Sequence, residues 1–237
     1  MIHCEWGLAG IEALKPHVKV LVIIDVLSFS TAVDVAVARG SHVVPFSFGD
    51  EAAARRAAEA VGAELAKPRQ AGGGQLSLSP LSLTRLSAGH KLLLPSPNGS
   101  RLSLAGGDLP VLAGSLRNAA AVAAAAHTLA AGGSMGIIPA GERWPDGSLR
   151  PAIEDLVGAG ALVDALHEPA DAEARMARDA FRSAGIGLAE LVRSSRSGRE
   201  LIERGFAGDV EMAVALNVSK AVPLLRDGAY VNAAAGD

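Results

Sequence analysis

The hydrophobic pattern of the chain alternates between short apolar runs and longer amphipathic stretches. The run at residues 18–24 is β-branched and almost entirely apolar, which is typical of a buried strand of a parallel sheet. Similar short runs predict strands at residues 41–46, 91–94, 111–113 and 134–139. Because helical stretches alternate with these strands, the pattern predicts a three-layer α/β/α fold with a mostly parallel or mixed sheet.

Amphipathic or alanine-rich stretches predict the helices. They lie at residues 30–39, 50–65, 101–105, 119–131, 151–166, 171–183, 186–195, 197–204 and 209–216. Asp50 is placed to cap the second of them, and the last quarter of the chain is predicted to be helical. Strand, hydroxyl-rich turn and helix follow one another twice. This favours one domain over residues 1–237 with two similar halves at about 1–90 and 91–237, although similarity at this level also arises by chance.

Composition limits the classes of partner and compartment. The chain has 237 residues, of which 49% are hydrophobic and 3% aromatic, so the core must be built from Ala, Val, Leu and Ile. The net charge is −3 and the basic residues are scattered, so a nucleic-acid partner is not expected. No run reaches the roughly 18 apolar residues of a membrane span. The single cysteine, Cys4, favours a cytoplasmic location, and the alanine-rich helices leave room for a homo-oligomer interface.

Polar side chains cluster where the predicted strands end. In open α/β sheets, ligands bind beyond the carboxyl ends of the strands. Carboxylates there suit a hard cation, and arginines, hydroxyl groups and helix N-termini suit an anion. The two together suggest a phosphate-bearing substrate with Mg²⁺. The polar residues at these ends are Asp25, Ser30, Thr31, Asn98, Gly99, Ser100, Arg101, Asn118, Gly141, Glu142 and Arg143, and the following helix adds Glu154 and Asp155.

Each of these residues also has a simpler interpretation when it is taken alone. Asp25 could cap the end of a strand, and Asn98-Gly99 is a common turn dipeptide. Glu154 and Asp155 lie near a helix start, where acids interact favourably with the helix dipole. The sequence also lacks the P-loop, the zinc-binding H-E-x-x-H motif and the G-x-S-x-G nucleophile elbow.

Five short motifs occur in order along the chain. They are VIIDVL at residues 22–27 with Ser30 and Thr31, SPNGSR at 96–101, GSLRNA at 114–119, AGER at 140–143 with EDLVGAGA at 154–161, and SGREL at 197–201 with VPL at 222–224. Together they resemble the motifs of the 2-phosphosulfolactate phosphatase (ComB-like) family. The resemblance implies a three-layer α/β/α fold with two similar halves. It also implies a Mg²⁺-dependent hydrolase that converts 2-phospho-3-sulfolactate to 3-sulfolactate and phosphate.

One position departs from the family pattern. Members usually carry Arg directly after the Asp-Val-Leu of the first motif, and this chain has Ser28 there. A serine cannot bind an anion as a two-pronged guanidinium does. Three explanations stay open: another arginine compensates, the substrate differs, or catalysis is weakened. The alternative to an active phosphatase is therefore a non-catalytic or altered-substrate paralogue that binds an anionic metabolite.

The leading hypothesis assigns roles as follows. Asp25, Glu154 and Asp155 are expected to hold Mg²⁺. Glu142 is expected to orient an attacking water, although a covalent intermediate stays open. Arg143 and Arg101 are expected to neutralise the charge that develops on the phosphoryl group. The remaining candidates are expected to bind the substrate or its phosphate: Ser30, Thr31, Asn98, Gly99, Ser100, Asn118 and Gly141.

Overall fold

A mixed sheet forms the centre of the computed structural model, which describes residues 1–47, 49–70 and 74–234. Within those residues the strands are β1 (Ile2–Cys4), β2 (Val20–Ile24), β3 (His42–Ser47), β4 (Glu64–Leu65), β5 (Lys91–Ser96), β6 (Val111–Gly114), β7 (Met135–Pro139), β8 (Glu142–Arg143), β9 (Leu149–Arg150), β10 (Pro223–Arg226) and β11 (Ala229–Asn232). The helices are α1 (Gly7–Leu14), α2 (Phe29–Ala38), α3 (Glu51–Ala60), α4 (Pro80–Leu83), α5 (Gly99–Ala105), α6 (Ala119–Ala130), α7 (Ile153–Leu166), α8 (Ala172–Ala184), α9 (Leu188–Ser194), α10 (Arg196–Glu203) and α11 (Ala207–Ala213).

The sheet consists of two parallel blocks joined by an antiparallel hairpin. Its order is β1-β7-β2-β6-β10-β11-β3-β5-β4, and β8 and β9 form a separate pair. The pairings from β6 to β10, from β10 to β11 and from β11 to β3 are all antiparallel. Because three reversals separate the blocks, β2 and β5 run in opposite local directions. The sheet is therefore mixed.

Alternating side chains of β2 divide the core into two layers. Val20, Val22 and Ile24 belong to the hydrophobic cluster that includes α6, α7 and α8. Leu21 and Ile23 belong to the cluster on the other side, with α1, α2 and α5. All five side chains are fully buried. Alternation along a strand directs successive side chains to opposite faces, and the predicted three-layer α/β/α fold is confirmed.

The sequence pattern missed elements at both ends of the chain. β1 and α1 were not predicted, and the expectation of a helical last quarter is wrong for β10 and β11. The turn of this hairpin contains Asp227 and Gly228, both with positive φ. Each strand has only four residues, too few for a periodic pattern to distinguish a strand from a helix.

Two predicted helices have observed boundaries that differ from the predicted ones. The helix expected at residues 50–65 ends at Ala60, because Gly62 takes a left-handed conformation (φ +64°) and the chain then enters β4. Its predicted cap is confirmed: Asp50 accepts a hydrogen bond from the Ala53 N–H at 2.9 Å. The helix expected at residues 101–105 begins two residues earlier, at Gly99. Two similar halves stay a prediction.

The C-terminal hairpin brings α2 and α5 together. Tyr230 of β11 donates a hydrogen bond of 2.7 Å to Ser103 Oγ on α5, and its ring meets the Phe29 ring of α2 edge-on at 6.1 Å between centroids. A Cβ on Gly99 would lie 2.2 Å from the Phe29 ring, so only glycine permits this approach. The first turns of α2 and α5 therefore meet beside the end of β2.

Candidate functional site

Four acidic side chains converge where β2 and β7 end. Asp25 follows β2, Glu142 follows β7, and Glu154 and Asp155 lie in the first turn of α7. The negative charges of the other three all raise the pKa of Asp155. Asp25, Glu154 and Asp155 are buried, and Glu142 is partly buried. The predicted metal-binding acids and Glu142 therefore form one cluster, which we call the acid cluster.

Asp25 joins the beginnings of two helices. Its Oδ1 accepts a hydrogen bond from the Phe29 N–H at 3.2 Å, and its Oδ2 accepts one from the Gly99 N–H at 2.9 Å. These amides belong to the first residues of α2 and α5, whose N–H groups have no partner within the helix. Burial raises the pKa of Asp25 to about 6 although both hydrogen bonds lower it, and the charge of Glu154 raises it further. Asp25 therefore caps the beginnings of two helices, whereas its simpler interpretation was a cap at the end of a strand.

Asp155 joins the ends of two strands. Its Oδ1 accepts a hydrogen bond of 2.8 Å from the Val26 N–H, and its Oδ2 accepts one of 2.8 Å from the Gly141 N–H. Burial raises its pKa well above the ordinary value, and the charges of Asp25 and Glu154 add to this rise. Gly141 has a φ of +65°, and a Cβ there would lie 2.9 Å from the Arg150 carbonyl oxygen. The turn therefore depends on glycine.

Glu142 and Asn98 meet as the sequence suggests. Asn98 Nδ2 donates a hydrogen bond of 2.9 Å to Glu142 Oε2. Burial raises the pKa of Glu142 to about 7, and the charge of Asp25 adds to the rise, which the bond from Asn98 partly offsets. A carboxyl group with a pKa near neutrality can exchange a proton at physiological pH. Both residues, together with Arg101 and Arg143, line a cavity of about 180 Å³.

The two predicted arginines are solvent-exposed. Arg143 donates a hydrogen bond of 2.9 Å to the Gly147 carbonyl oxygen, inside the turn that connects β8 and β9. Neither Arg101 nor Arg143 lines a second, larger cavity of about 640 Å³, to which Glu142 also contributes. Their predicted role in neutralising a phosphoryl group stays a prediction.

The three predicted hydroxyl groups hydrogen-bond to nearby backbone. Ser30 Oγ donates to the Ile23 carbonyl at 3.1 Å and accepts from the Asp25 N–H at 2.9 Å. Thr31 Oγ1 donates to the Val26 carbonyl, and Ser100 Oγ to the Leu94 carbonyl, each at 2.8 Å. All three residues are fully buried. They hold the strand ends in shape, and their predicted contact with phosphate stays a prediction.

Asn118 is also fully buried. It lines neither the cavity of about 180 Å³ nor the larger one of about 640 Å³. Its Oδ1 accepts hydrogen bonds from the Ser115 N–H at 2.8 Å and from Ser115 Oγ at 3.0 Å. Its Nδ2 donates to the carbonyls of Ala113 and Ala221 at 3.3 and 3.4 Å. The observed contacts connect the end of β6 to the segment before β10.

A larger cavity of about 640 Å³ adjoins the acid cluster through Glu142. Lys67, Arg69 and Arg204 lie on its wall, together with Leu27 from the loop after β2. These three cations follow no predicted strand, so the sequence pattern does not identify them as site residues. Lys67 and Arg69 belong to the segment between β4 and α4, and Arg204 follows α10.

Ser28 is buried beside this region. It is 2% exposed, and its Oγ has no hydrogen-bond partner among the described residues. It precedes α2 without capping it through its side chain. No charged group therefore enters the cavity from position 28.

The described residues contain no ready-made metal site. Across residues 1–47, 49–70 and 74–234, no three His, Cys, Asp or Glu side chains are arranged so that they could hold a metal ion. Asp25, Glu154 and Asp155 are neighbours, but their role as Mg²⁺ ligands stays a prediction. In the same part of the chain, no helix is long and apolar enough to cross a membrane.

Comparison with known proteins identifies the family. Residues 11–228 match the family model described as 2-phosphosulpholactate phosphatase. The 2-phosphosulfolactate phosphatase of Methanothermobacter thermautotrophicus is 30% identical over 213 residues, which is 87% of each chain. The probable 2-phosphosulfolactate phosphatase of Carboxydothermus hydrogenoformans is 31% identical over 214 residues, 86% of this chain and 85% of that one. The chain thus belongs to the 2-phosphosulfolactate phosphatase family, a family of phosphoric monoester hydrolases.

Proposed function

We propose that this protein is a Mg²⁺-dependent phosphatase that converts 2-phospho-3-sulfolactate to 3-sulfolactate and phosphate. The observation that carries the proposal is the acid cluster, which adjoins a cavity with Lys67, Arg69 and Arg204 on its wall. Acids and cations side by side suit a metal ion and a substrate with several negative charges. Family membership supplies the reaction class.

The acid cluster fits Mg²⁺ in the type and charge of its donors. Mg²⁺ prefers oxygen ligands and often uses only one or two carboxylates, with water and substrate phosphate completing its shell. A preformed set of three ligands is therefore not required. Burial and mutual repulsion raise the pKa values of Asp25 and Asp155, and a bound cation would relieve both effects.

In this proposal Asp25, Glu154 and Asp155 hold the ion, directly or through water. When bound, Mg²⁺ would supply positive charge to the phosphoryl oxygens. Glu142, with its pKa near 7 and its carboxylate held by Asn98, would accept the proton of an attacking water. A covalent intermediate is the alternative route.

Phosphate release from 2-phospho-3-sulfolactate tests the proposal. We expect turnover with Mg²⁺, no turnover with EDTA, and a loss of about a thousand-fold or more in Asp25→Asn, which keeps the size of the side chain. Glu59→Gln, an exposed change on α3, is the matched control and should retain full activity. Undiminished activity in EDTA would show that the metal assignment is wrong.

A second candidate is a paralogue that binds an anionic metabolite without hydrolysing it. The supporting observation is Ser28, whose buried side chain brings no charge where the family usually has an arginine. A panel of phosphorylated hydroxy acids distinguishes the two candidates. Saturable binding in calorimetry without phosphate release from any of them favours the paralogue.

The proposal places the activity in the cytoplasm. The cysteine at position 4 is free and buried in the structure, as is common in reducing compartments. Self-association through the alanine-rich helices is a further expectation, which size-exclusion chromatography with light scattering would measure.

A further inference from the structure

Two arginines on the wall of the larger cavity share one aromatic neighbour. The guanidinium carbon of Arg69 lies 5.1 Å from the centre of the Phe206 ring, and that of Arg204 lies 5.8 Å from the same centre. Both distances fall within the range of cation–π attraction, roughly 6 Å. The ring thus holds two positive groups together although they repel each other.

Neighbouring groups hold the side chain of Arg69 in place. Its side chain is 10% exposed, and one guanidinium nitrogen donates a hydrogen bond of 2.6 Å to the Leu78 carbonyl. The other terminal nitrogen lies 3.8 Å from Asp209 Oδ2. Asp209 is itself held through its other oxygen by Ser79 Oγ at 2.6 Å. Arg69 therefore has a defined position, and little conformational freedom is lost when it binds a ligand.

Arg204 carries a positive charge that has no ion-pair partner among the residues that the structure describes. In the described part of the chain no carboxylate forms an ion pair with Arg204, and Glu200 on the preceding helix pairs with Arg196 at 2.8 Å. Asp209 offsets only one of the two guanidinium charges. Burial lowers the pKa of Arg69, and the neighbouring charge of Arg204 lowers it further. Two crowded cations of this kind favour the arrival of an anion.

The arginine pair faces the acid cluster across one continuous cavity. Glu142 and both arginines line this cavity. The charges of Asp25 and Glu142 also act on Arg69, which places the guanidinium within electrostatic range of the acids. A small molecule could therefore place one end at the acid cluster and the other at the arginines.

We propose that Arg69 and Arg204 form a guanidinium pair that binds the second acidic group of the substrate, a carboxylate or sulfonate, while the phosphate lies at the acid cluster. This inference rests on the proposed phosphatase function and names the residues that select doubly acidic substrates. Guanidinium groups suit this task because they bind oxyanions through two parallel hydrogen bonds. Neither arginine belongs to the loop that contains Ser28: Arg69 lies between β4 and α4, and Arg204 follows α10.

Comparison of two substrates tests the guanidinium pair. Kinetics would be measured with 2-phospho-3-sulfolactate and with phenyl phosphate, which has no second acidic group. In Arg204→Gln we expect KM for the first substrate to rise about ten-fold or more, with kcat changing much less. The kcat/KM for phenyl phosphate should stay within about two-fold of the wild type. Arg69→Lys keeps the charge beside Asp209. It should also raise KM for the first substrate only, because an ammonium group cannot form the two parallel hydrogen bonds of a guanidinium group.

Arg226→Gln is the matched control. It removes the same charge from an exposed position at the end of β10, and Arg226 lines neither of the two cavities. It should leave both substrates unaffected. Equal losses with both substrates in Arg204→Gln, or no change with either, would overturn the inference.

Direct binding separates this inference from the proposed function. If the wild type hydrolyses no 2-phospho-3-sulfolactate, the phosphatase proposal fails, and calorimetric titration with 3-sulfolactate, which carries the carboxylate and the sulfonate but no phosphate, still tests the pair. At least ten-fold weaker binding in Arg204→Gln than in the wild type supports the inference. Equal affinities, or no binding to the wild type at millimolar concentration, refute it.

Discussion

Replacement of Glu142 by glutamine should stabilise the metal-free protein, and the gain should depend on pH. Burial and the charge of Asp25 raise the pKa of Glu142 from 4.5 to about 7, which means that its ionised form is disfavoured in the folded state. Each pKa unit corresponds to about 1.4 kcal/mol. The ionised group therefore costs at most about 3 kcal/mol of folding free energy, a cost that a neutral amide of the same size avoids.

The direction of the pH dependence follows from proton binding. Between about pH 4.5 and 7 the folded wild type binds more protons at this position than the unfolded chain does, so its stability falls as the pH rises. Below this interval the side chain is protonated in both states, and the variant gains nothing. The glutamine oxygen can still accept the hydrogen bond from Asn98 Nδ2. We therefore expect no difference near pH 4 and a gain of up to about 3 kcal/mol at pH 8.

Urea unfolding in EDTA at five pH values from 4 to 8 measures this gain. Equal m-values for Glu142→Gln and the wild type would show that the two unfold from comparable states. The exposed Glu59→Gln on α3 is the control, and its stability should follow that of the wild type at every pH. A gain that is the same at pH 4 and pH 8, or a loss of stability at pH 8, would refute the reasoning.

Three further predictions concern packing and metal binding. Gly99→Ala should cost about 1–3 kcal/mol in urea unfolding, because its Cβ would lie 2.2 Å from the Phe29 ring; Gly187→Ala, with no atom within 4 Å of its Cβ, should change stability by less than about 0.5 kcal/mol. Tyr230→Phe should cost about 1–2 kcal/mol, because it leaves buried Ser103 Oγ without the 2.7 Å hydrogen bond; an unchanged unfolding midpoint would contradict this. Mg²⁺ should raise the thermal unfolding temperature more at pH 8 than at pH 5, because carboxylates must lose their protons to bind it; equal shifts would argue against ligands from the acid cluster.

The sequence determined the local features of this protein. The apolar runs predicted five strands of the sheet, because a strand that is buried on both faces is apolar throughout. The amphipathic stretches predicted most of the helices, because a helix that is buried on one face has apolar residues at a regular spacing. The polar residues after β2, β5 and β7 were identified because they directly follow these apolar runs. Asn98 and Glu142, which the sequence places at two separate strand ends, are within 2.9 Å of each other in the structure.

Only the tertiary structure decided how these strand ends meet. A purely parallel sheet would have placed Asp25 and Gly99 at one edge, yet β2 and β5 lie in separate blocks with four strands between them. The hairpin β10–β11, which has too few residues to produce a periodic signal, pairs with both blocks and packs Tyr230 against α2 and α5. It thereby brings the first turns of these helices to one carboxylate.

The position of the cations in the larger cavity was likewise decided only by the tertiary structure. Arg69 lies in a segment without regular structure, and a lone arginine there is ordinarily a solvent-exposed charge. Its burial depends on Phe206 and Asp209, more than a hundred positions away in the chain. A sequence records which side chains favour burial or charge, but contacts between distant segments arise only when the whole chain is packed.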